Sequence, residues 1–164
     1  MSEENSIDVY SFEKENREYF ERNLPPRPAT YFDSEGFKEI TRELLREQEN
    51  HDVYMHLIRD AQGTMVGRIN LSVLEDDRKT AELGYRIGEN VTNLGYASEA
   101  VKLVLEKAFT TYRLHKIIAG TATYNLASQR VLLKNGFTFS KIIENDFQMN
   151  NEWINTAVFE IRNL

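Results

Sequence analysis

Residues 80–105 read TAELGYRIGENVTNLGYASEAVKLVL, and the periodicity of the chain changes within this stretch. Apolar and polar residues alternate from Thr80 to Gly88, a period of two that predicts a β-strand. From about Gly95, apolar residues recur at helical spacing as far as Phe109, which predicts an amphipathic helix. The stretch therefore predicts a strand, a short loop and a helix with Gly95 in its first turn.

The flanking sequence predicts a single mixed domain. Before this stretch, the patterns predict helices over residues 6–22 and from Asp33 or Ser34 to about Asn50, strands over 53–59 and 65–71, and a polar turn at 75–78. After it, they predict a strand over 116–123, a helix over 126–135 ended by Gly136, and strands over 137–144 and 153–161. This order predicts one α+β domain, residues 1–164, built on a largely antiparallel sheet.

Composition narrows the classes of function. The chain has no cysteine, which excludes a disulfide scaffold, a thiolate zinc site and a cysteine nucleophile. His51, His56 and His115 show no metal-ligand spacing, so no metal site is predicted. The formal charge is −6 and the basic residues do not cluster, which argues against direct binding of nucleic acid. No apolar run approaches the ~20 residues that span a bilayer, and the polar start is unlike a signal peptide, so we predict no membrane association and a cytoplasmic protein.

The loop-to-helix junction at residues 92–99 is a candidate anion site. The first amides of a helix lack internal partners and carry the positive end of its dipole, which suits a phosphate. Gly95 would let the backbone approach the anion closely. The alternative is an ordinary strand-to-helix turn with a small residue at a crowded crossing. Neither a Gly-Lys-Ser/Thr nucleotide loop nor a GxGxxG motif occurs.

Three further features could carry chemistry, each with a plain structural alternative. Asn125 suits a helix N-cap that Ser128, three residues later, could support. Arg130 and Lys134 share a helix face, as a solvated basic edge or as a site for a distant phosphate. Glu82 is a lone carboxylate in an apolar strand, and the alternative is a solvent-facing polar residue.

In this order and spacing, three segments resemble the GCN5-related N-acetyltransferase (GNAT) superfamily, particularly its branch that acetylates N-terminal amines of ribosomal proteins. The segments are Ala81–Ile87, Leu94–Val101 and Asn125–Phe137. The element order agrees from about residue 6 to 161, so the resemblance covers nearly the whole chain. It implies a sheet of about six to seven strands flanked by about four helices. It also implies acetyl transfer from acetyl-CoA to a primary amine.

The resemblance also implies roles for individual residues. Backbone amides of the junction would hold the pyrophosphate of acetyl-CoA, at Asn93, Leu94, Gly95, Tyr96, Ala97 and Ser98. The end of the preceding strand, at Ile87, would pair with the pantetheine arm. Asn125 would contact the coenzyme, and Arg130 its ribose phosphate. Glu82 would handle the incoming amine, directly or through water, and Ser128 would donate to the departing thiolate.

Three departures from the family pattern stand out. Thr92 and Asn93 replace the usual Arg or Gln followed by Gly. Leu132 stands where many relatives carry a tyrosine that protonates the thiolate, which leaves Ser128 as the candidate donor. The family also usually begins with a strand before its first helix. Either that strand is absent, or the start is abbreviated, or a partner chain, as in a homodimer, covers the exposed edge.

The acceptor amine is the least determined part of the prediction. Because a thioester already has a good leaving group, we expect direct attack in a ternary complex without a covalent intermediate. The N-terminal α-amine of a protein, such as a ribosomal protein, is the leading acceptor. A small amine such as a polyamine, amino sugar or antibiotic is the first alternative. A non-catalytic acyl-CoA-binding module is the second.

Overall fold

A computed structural model describes residues 1–75 and 78–163, and its elements follow the predicted order. The helices are α1 (Ser6–Glu15), α2 (Arg17–Glu21), α3 (Ser34–Glu49), α4 (Tyr96–Thr110) and α5 (Leu126–Lys134). The strands are β1 (Val53–Arg59), β2 (Met65–Val73), β3 (Thr80–Ile87), β4 (Lys116–Ala122), β5 (Thr138–Met149) and β6 (Glu152–Arg162). The predicted turn at 75–78 includes residues 76 and 77, which lie outside the described residues.

The six strands form one sheet in the order β1-β2-β3-β4-β6-β5. Every neighbouring pair is antiparallel except β3 and β4, which are parallel. This confirms the predicted α+β fold with a largely antiparallel sheet. The β3–α4–β4 segment is the crossover that a parallel pair requires.

The main core lies between the sheet and helix α4. The apolar stripe predicted for this helix is buried, with Val101 and Ala108 fully inaccessible to solvent. In the sheet, Leu71 of β2 and Ile117 of β4 are also fully inaccessible to solvent. Removal of this apolar surface from water is the principal force that holds α4 against β2 and β3. Within residues 1–75 and 78–163, no helix is long and apolar enough to cross a membrane.

The prediction of one helix over residues 6–22 is wrong, because the helix is interrupted at Asn16. The Asn16 side chain donates to the Phe12 carbonyl at 2.9 Å and accepts from the Glu89 backbone N–H at 2.9 Å. Asparagine competes for backbone hydrogen bonds in this way and disfavours helix interiors. The interruption ties α1 and α2 to the loop that follows β3.

The last two strands are longer than predicted. Asn150 and Asn151, with φ of +52° and +63°, form the turn that joins β5 to β6. Asparagine tolerates this left-handed conformation better than most residues, so the pair supports a tight hairpin. Gly136, with φ of +86°, lies just after α5 and before β5, as predicted.

The sheet edges are β1 and β5. In the part of the chain that the structure describes, no strand precedes α1. The family's usual first strand is therefore missing from this sheet.

Candidate active site

A cleft opens where β3 and β4 separate. Their parallel pairing extends only from Thr80–Lys116 to Glu82–Ile118. Beyond Glu82, β3 remains paired with β2 as far as Ile87 but diverges from β4. The cleft between them has a volume of about 850 Å³. The edge of β3 that faces it presents backbone groups that an extended ligand can pair with.

Helix α4 directs its N-terminus at this cleft. Its N-cap is Gly95, and the first intrahelical bond runs from the Glu99 N–H to the Gly95 carbonyl at 3.1 Å. The amides of residues 96–98 therefore precede the helical ladder. No described side chain caps α4, whereas Asp33 caps α3 and Asn125 caps α5. These three N–H groups have no hydrogen-bond partner within residues 1–75 and 78–163, and they lie at the positive end of a helix dipole, which suits an anion.

The less typical loop sequence before α4 still adopts a glycine-like conformation. Asn93 has φ of +62°, in the left-handed region that glycine favours and asparagine tolerates. Asn93 and Gly95 line the cleft together with Tyr96, Ala97 and Ser98. Leu94 does not line it, and its side chain is 67% exposed.

We expect Gly95→Ala to weaken binding of acetyl-CoA and also to destabilise the fold. Gly95 has φ of +92°, and a Cβ built on it meets no atom within 4 Å, so the strain comes from the backbone conformation. Such strain costs about 1–2 kcal/mol. The added methyl stands on backbone that the anion must approach, and we expect about tenfold weaker affinity, the effect of losing about 1.4 kcal/mol. Calorimetric titration and thermal unfolding measure the two effects.

Gly63→Ala is the matched control for Gly95→Ala. Gly63 lies in the β1–β2 hairpin with φ of +84°, and its added Cβ also meets nothing within 4 Å. The control should lose similar stability and keep its affinity for acetyl-CoA. Equal affinity in the two variants would contradict an anion site at Gly95.

Glu82 lies at the point where the two strands separate. It is exposed, lines the cleft and pairs across strands with Ser72 of β2 and Ile118 of β4. Among residues 1–75 and 78–163, no side chain lies within hydrogen-bond or ion-pair distance of its carboxylate. The carboxylate is therefore available to a cationic amine in the cleft.

Ser128 is held at the cleft by two hydrogen bonds. Its backbone N–H donates to Asn125 Oδ1 at 3.1 Å, which is the N-cap bond of α5. Its Oγ lies 3.0 Å from the hydroxyl of Tyr85 on β3. Burial raises the pKa of the Tyr85 phenol above its ordinary value of 10, while the bond to Ser128 acts in the opposite direction. Tyr85 therefore stays protonated at neutral pH.

Helix α5 is tied to the first turn of α4 and supplies basic residues to the cleft. Asn135, at its end, donates from Nδ2 to Ser98 Oγ at 3.3 Å and to the Val131 carbonyl at 2.9 Å. This ties the end of α5 to the first turn of α4. Arg130 and Lys134 are exposed and line the cleft from the same helix. They place positive charge on the wall contributed by α5.

A buried ion cluster supports the opposite wall. Glu13 of α1 is 1% exposed, and its carboxylate lies 2.9 Å from Arg86, 3.2 Å from Arg68 and 3.6 Å from Arg27. Burial lowers the pKa of Arg86 to about 10, with Glu13 opposing the shift and Arg27 and Arg68 adding to it. Arg86 remains charged at neutral pH and lines the cleft. The cluster anchors α1 to β2 and β3.

Sequence reasoning missed part of this site. The structure adds Tyr85 and the wall residues Tyr19, Phe20, Asn23, Leu24, Pro25, Asp146, Phe147 and Thr156. Tyr85 belongs to the same strand motif as Glu82, but its partner Ser128 is 43 residues away. The wall residues belong to α2, the loop after it and the β5–β6 hairpin, which carry no recognisable motif.

Of the residues predicted from sequence, the cleft brings together Glu82, Ser128, Ile87, Asn93, Gly95, Tyr96, Ala97, Ser98, Asn125 and Arg130. Leu94 is the exception among the predicted set. Leu132, at the position of the family's tyrosine, is 1% exposed.

Comparison with known proteins places the chain among acetyltransferases. Residues 3–138 match the family model described as the acetyltransferase (GNAT) domain. The probable N-acetyltransferase YjcK of Bacillus subtilis is 31% identical over 153 residues, which cover 92% of this chain and 84% of that protein.

Solved structures share the fold at lower identity. The ribosomal-protein-S5-alanine acetyltransferase of Vibrio fischeri is 19% identical, with a TM-score of 0.92 over 99% of this chain and 90% of that one. The spermidine N-acetyltransferase of Vibrio cholerae, in complex with CoA and spermine, is 18% identical, with a TM-score of 0.82 over 99% of this chain and 92% of that one. At these identities the likeness shows the fold alone.

Proposed function

This chain belongs to the GNAT acetyltransferase family and is an acetyl-CoA-dependent N-acetyltransferase; from that premise we propose that it acetylates the N-terminal α-amine of a protein, of the ribosomal-protein type. The observation that carries the proposal is the placing of Glu82 and Ser128 in one cleft with the uncapped end of α4. An anion site, a proton acceptor and a hydroxyl donor then share one site, which is what direct acetyl transfer requires.

The walls of the cleft support an assignment of residues to acetyl-CoA. The amides of residues 96–98 hold the pyrophosphate, and the backbone edge of β3 up to Ile87 pairs with the pantetheine arm. Asn125 contacts the coenzyme from α5, since its Nδ2 makes no hydrogen bond with the described residues. Arg130 meets the ribose phosphate.

Proton handling by Glu82 makes the acceptor nucleophilic. An α-amine has a pKa of about 7.7–8.0, so most of it is protonated at neutral pH. The Glu82 carboxylate attracts the ammonium ion and takes its proton, directly or through water. Acetyl-CoA supplies an acetyl group activated as a thioester. As the amine nitrogen bonds to the carbonyl carbon and the C–S bond breaks, Ser128 donates a hydrogen bond to the sulfur.

The charges that line the cleft favour an acceptor with a single positive charge. Among the described lining residues, the carboxylates are Glu82 and Asp146, and the cations are Arg86, Arg130 and Lys134. Arg86 is paired with Glu13 and Arg130 is assigned to the ribose phosphate, so the acceptor is left with two carboxylates, fewer than the three ammonium groups of spermidine. A protein N-terminus carries one, and the apolar side chains of Phe20, Leu24 and Phe147 can contact its first residues.

A polyamine is the alternative acceptor. Asp146 supports it, because Asp146 is a second carboxylate in the same cleft as Glu82 and could pair with a second ammonium group. The fold is also shared with the spermidine acetyltransferase of Vibrio cholerae.

A comparison of acceptors tests the proposal. Thiol release from acetyl-CoA is measured with peptides that begin with alanine or serine, with the same peptides blocked at the α-amine, and with spermidine. We expect kcat/KM for the free peptides to exceed that for spermidine by about 10–200-fold, the range that modest pocket differences produce. The blocked peptides should be inactive even when they contain lysine. Faster turnover of spermidine, or of the blocked peptides, would overturn the N-terminal assignment.

A further inference from the structure

The hydrogen bond between Tyr85 and Ser128 joins two elements that meet only in the folded chain. Tyr85 lies on β3, is half-buried and lines the cleft, and its hydroxyl is 3.0 Å from Ser128 Oγ. Among the residues that the structure describes, Ser128 is the one hydrogen-bond partner of the Tyr85 hydroxyl. The Ser128 backbone is held independently by Asn125 at 3.1 Å. The position of Ser128 is therefore determined without Tyr85, and the Tyr85 contact bears on the hydroxyl alone.

We propose that Tyr85 is a positioning residue, which donates its hydroxyl hydrogen to Ser128 Oγ and thereby directs the Ser128 hydrogen toward the departing sulfur. This inference rests on the proposed role of Ser128. A serine hydroxyl carries one hydrogen and two acceptor lone pairs. When Tyr85 donates to one lone pair, the Ser128 hydrogen remains free for the cleft. Hydrogen bonds in such a chain also polarise one another, which strengthens the outer bond as charge develops.

Tyr85 acts through Ser128 and keeps its own proton. Burial holds the pKa of its phenol above 10, whereas a free thiol has a pKa of about 8.5, so proton transfer from Tyr85 to the thiolate is unfavourable. The acceptor nitrogen bonds to the acetyl carbon, the sulfur leaves with the C–S electron pair, and Glu82 or water takes the amine proton. The thiolate takes a proton from water after the step, while Ser128 and Tyr85 both remain neutral.

A double-mutant cycle in kcat tests this coupling. Tyr85→Phe should lower kcat at saturating substrates by about tenfold, the equivalent of one ordinary hydrogen bond, with little change in KM for acetyl-CoA. The double variant Tyr85→Phe/Ser128→Ala should be as slow as Ser128→Ala alone, because Ser128→Ala has already removed the hydroxyl that Tyr85 directs. Tyr112→Phe is the matched control. The Tyr112 hydroxyl lies 3.0 Å from His56 Nε2, outside the cleft, and its loss should leave kcat unchanged.

A readout without turnover completes the test. The pKa of the thiol of bound CoA is measured by the ultraviolet absorbance of the thiolate in a pH titration. A hydrogen bond from Ser128 to the thiolate lowers the pKa of the bound thiol. Loss of the Tyr85 hydroxyl weakens that bond, so we expect Tyr85→Phe to raise the pKa of the bound thiol by about half a unit or more relative to the unsubstituted protein. Tyr112→Phe should leave it unchanged.

The outcomes separate the two proposals. Full kcat in Ser128→Ala would overturn the role of Ser128 and this inference together. A slow Ser128→Ala with a fully active Tyr85→Phe would overturn the inference alone. So would additive losses in the double variant, or an unchanged pKa of the bound thiol in Tyr85→Phe.

Discussion

Glu82→Gln is expected to lower kcat at neutral pH by about 10²–10⁴-fold, the usual contribution of a general base. Glutamine keeps the size of the side chain and removes the charge that attracts and deprotonates the ammonium ion. Glu82 is exposed, and its carboxylate has no partner within residues 1–75 and 78–163, so the fold should be almost unaffected. Steady-state kinetics with the best peptide acceptor, together with thermal unfolding, measure both quantities.

The pH dependence of Glu82→Gln carries a further expectation. An α-amine has a pKa of about 7.7–8.0, so above pH 8 most of the acceptor is already deprotonated in solution. The difference in kcat between Glu82→Gln and the unsubstituted protein should therefore become smaller as the pH rises through that range. Glu106→Gln is the matched control, since Glu106 is exposed on α4 and does not line the cleft. If Glu82→Gln turned over at the unsubstituted rate at pH 7, Glu82 would be an ordinary polar residue on a solvent-facing row.

Ser128→Ala is expected to lower kcat by about 10²–10³-fold, the effect of removing one hydrogen-bond donor from a developing negative charge. The structure separates this role from helix capping. The cap bond of α5 uses the Ser128 backbone N–H and Asn125 Oδ1, and alanine retains that N–H. The substitution removes only the contact between the hydroxyl and Tyr85, so the loss of stability should be about 1 kcal/mol or less.

Ser6→Ala serves as the control for Ser128→Ala. The Ser6 hydroxyl donates to the Glu3 carbonyl at 2.7 Å, outside the cleft, so the control also removes one hydrogen bond of a serine hydroxyl. Its kcat should not change. A lower melting temperature with an unaltered rate in Ser128→Ala would make Ser128 a structural residue.

Local sequence was sufficient to predict the order of the elements. The period of two in β3, the helical stripe of α4 and the glycine after α5 each depend on neighbours within a few residues. Capping chemistry is equally local: Asn125 caps α5 as predicted, and Asp33, one of the two residues predicted to begin α3, is its cap. The lengths of β5 and β6 and the interruption of the first helix were missed. In those places, backbone pairing and the contact from Asn16 to Glu89 outweigh local preference.

The sequence alone predicts the family, the fold class and ten of the residues that line the cleft, because the motifs that carry them are contiguous and lie at the ends of predictable elements. How those residues are supported is visible only once the chain is folded. The bond from Tyr85 to Ser128 and the three arginines around Glu13 join elements that are far apart in the chain. Such contacts leave no periodic signal, because their energy depends on how the helices pack against the sheet and not on the spacing of neighbouring residues.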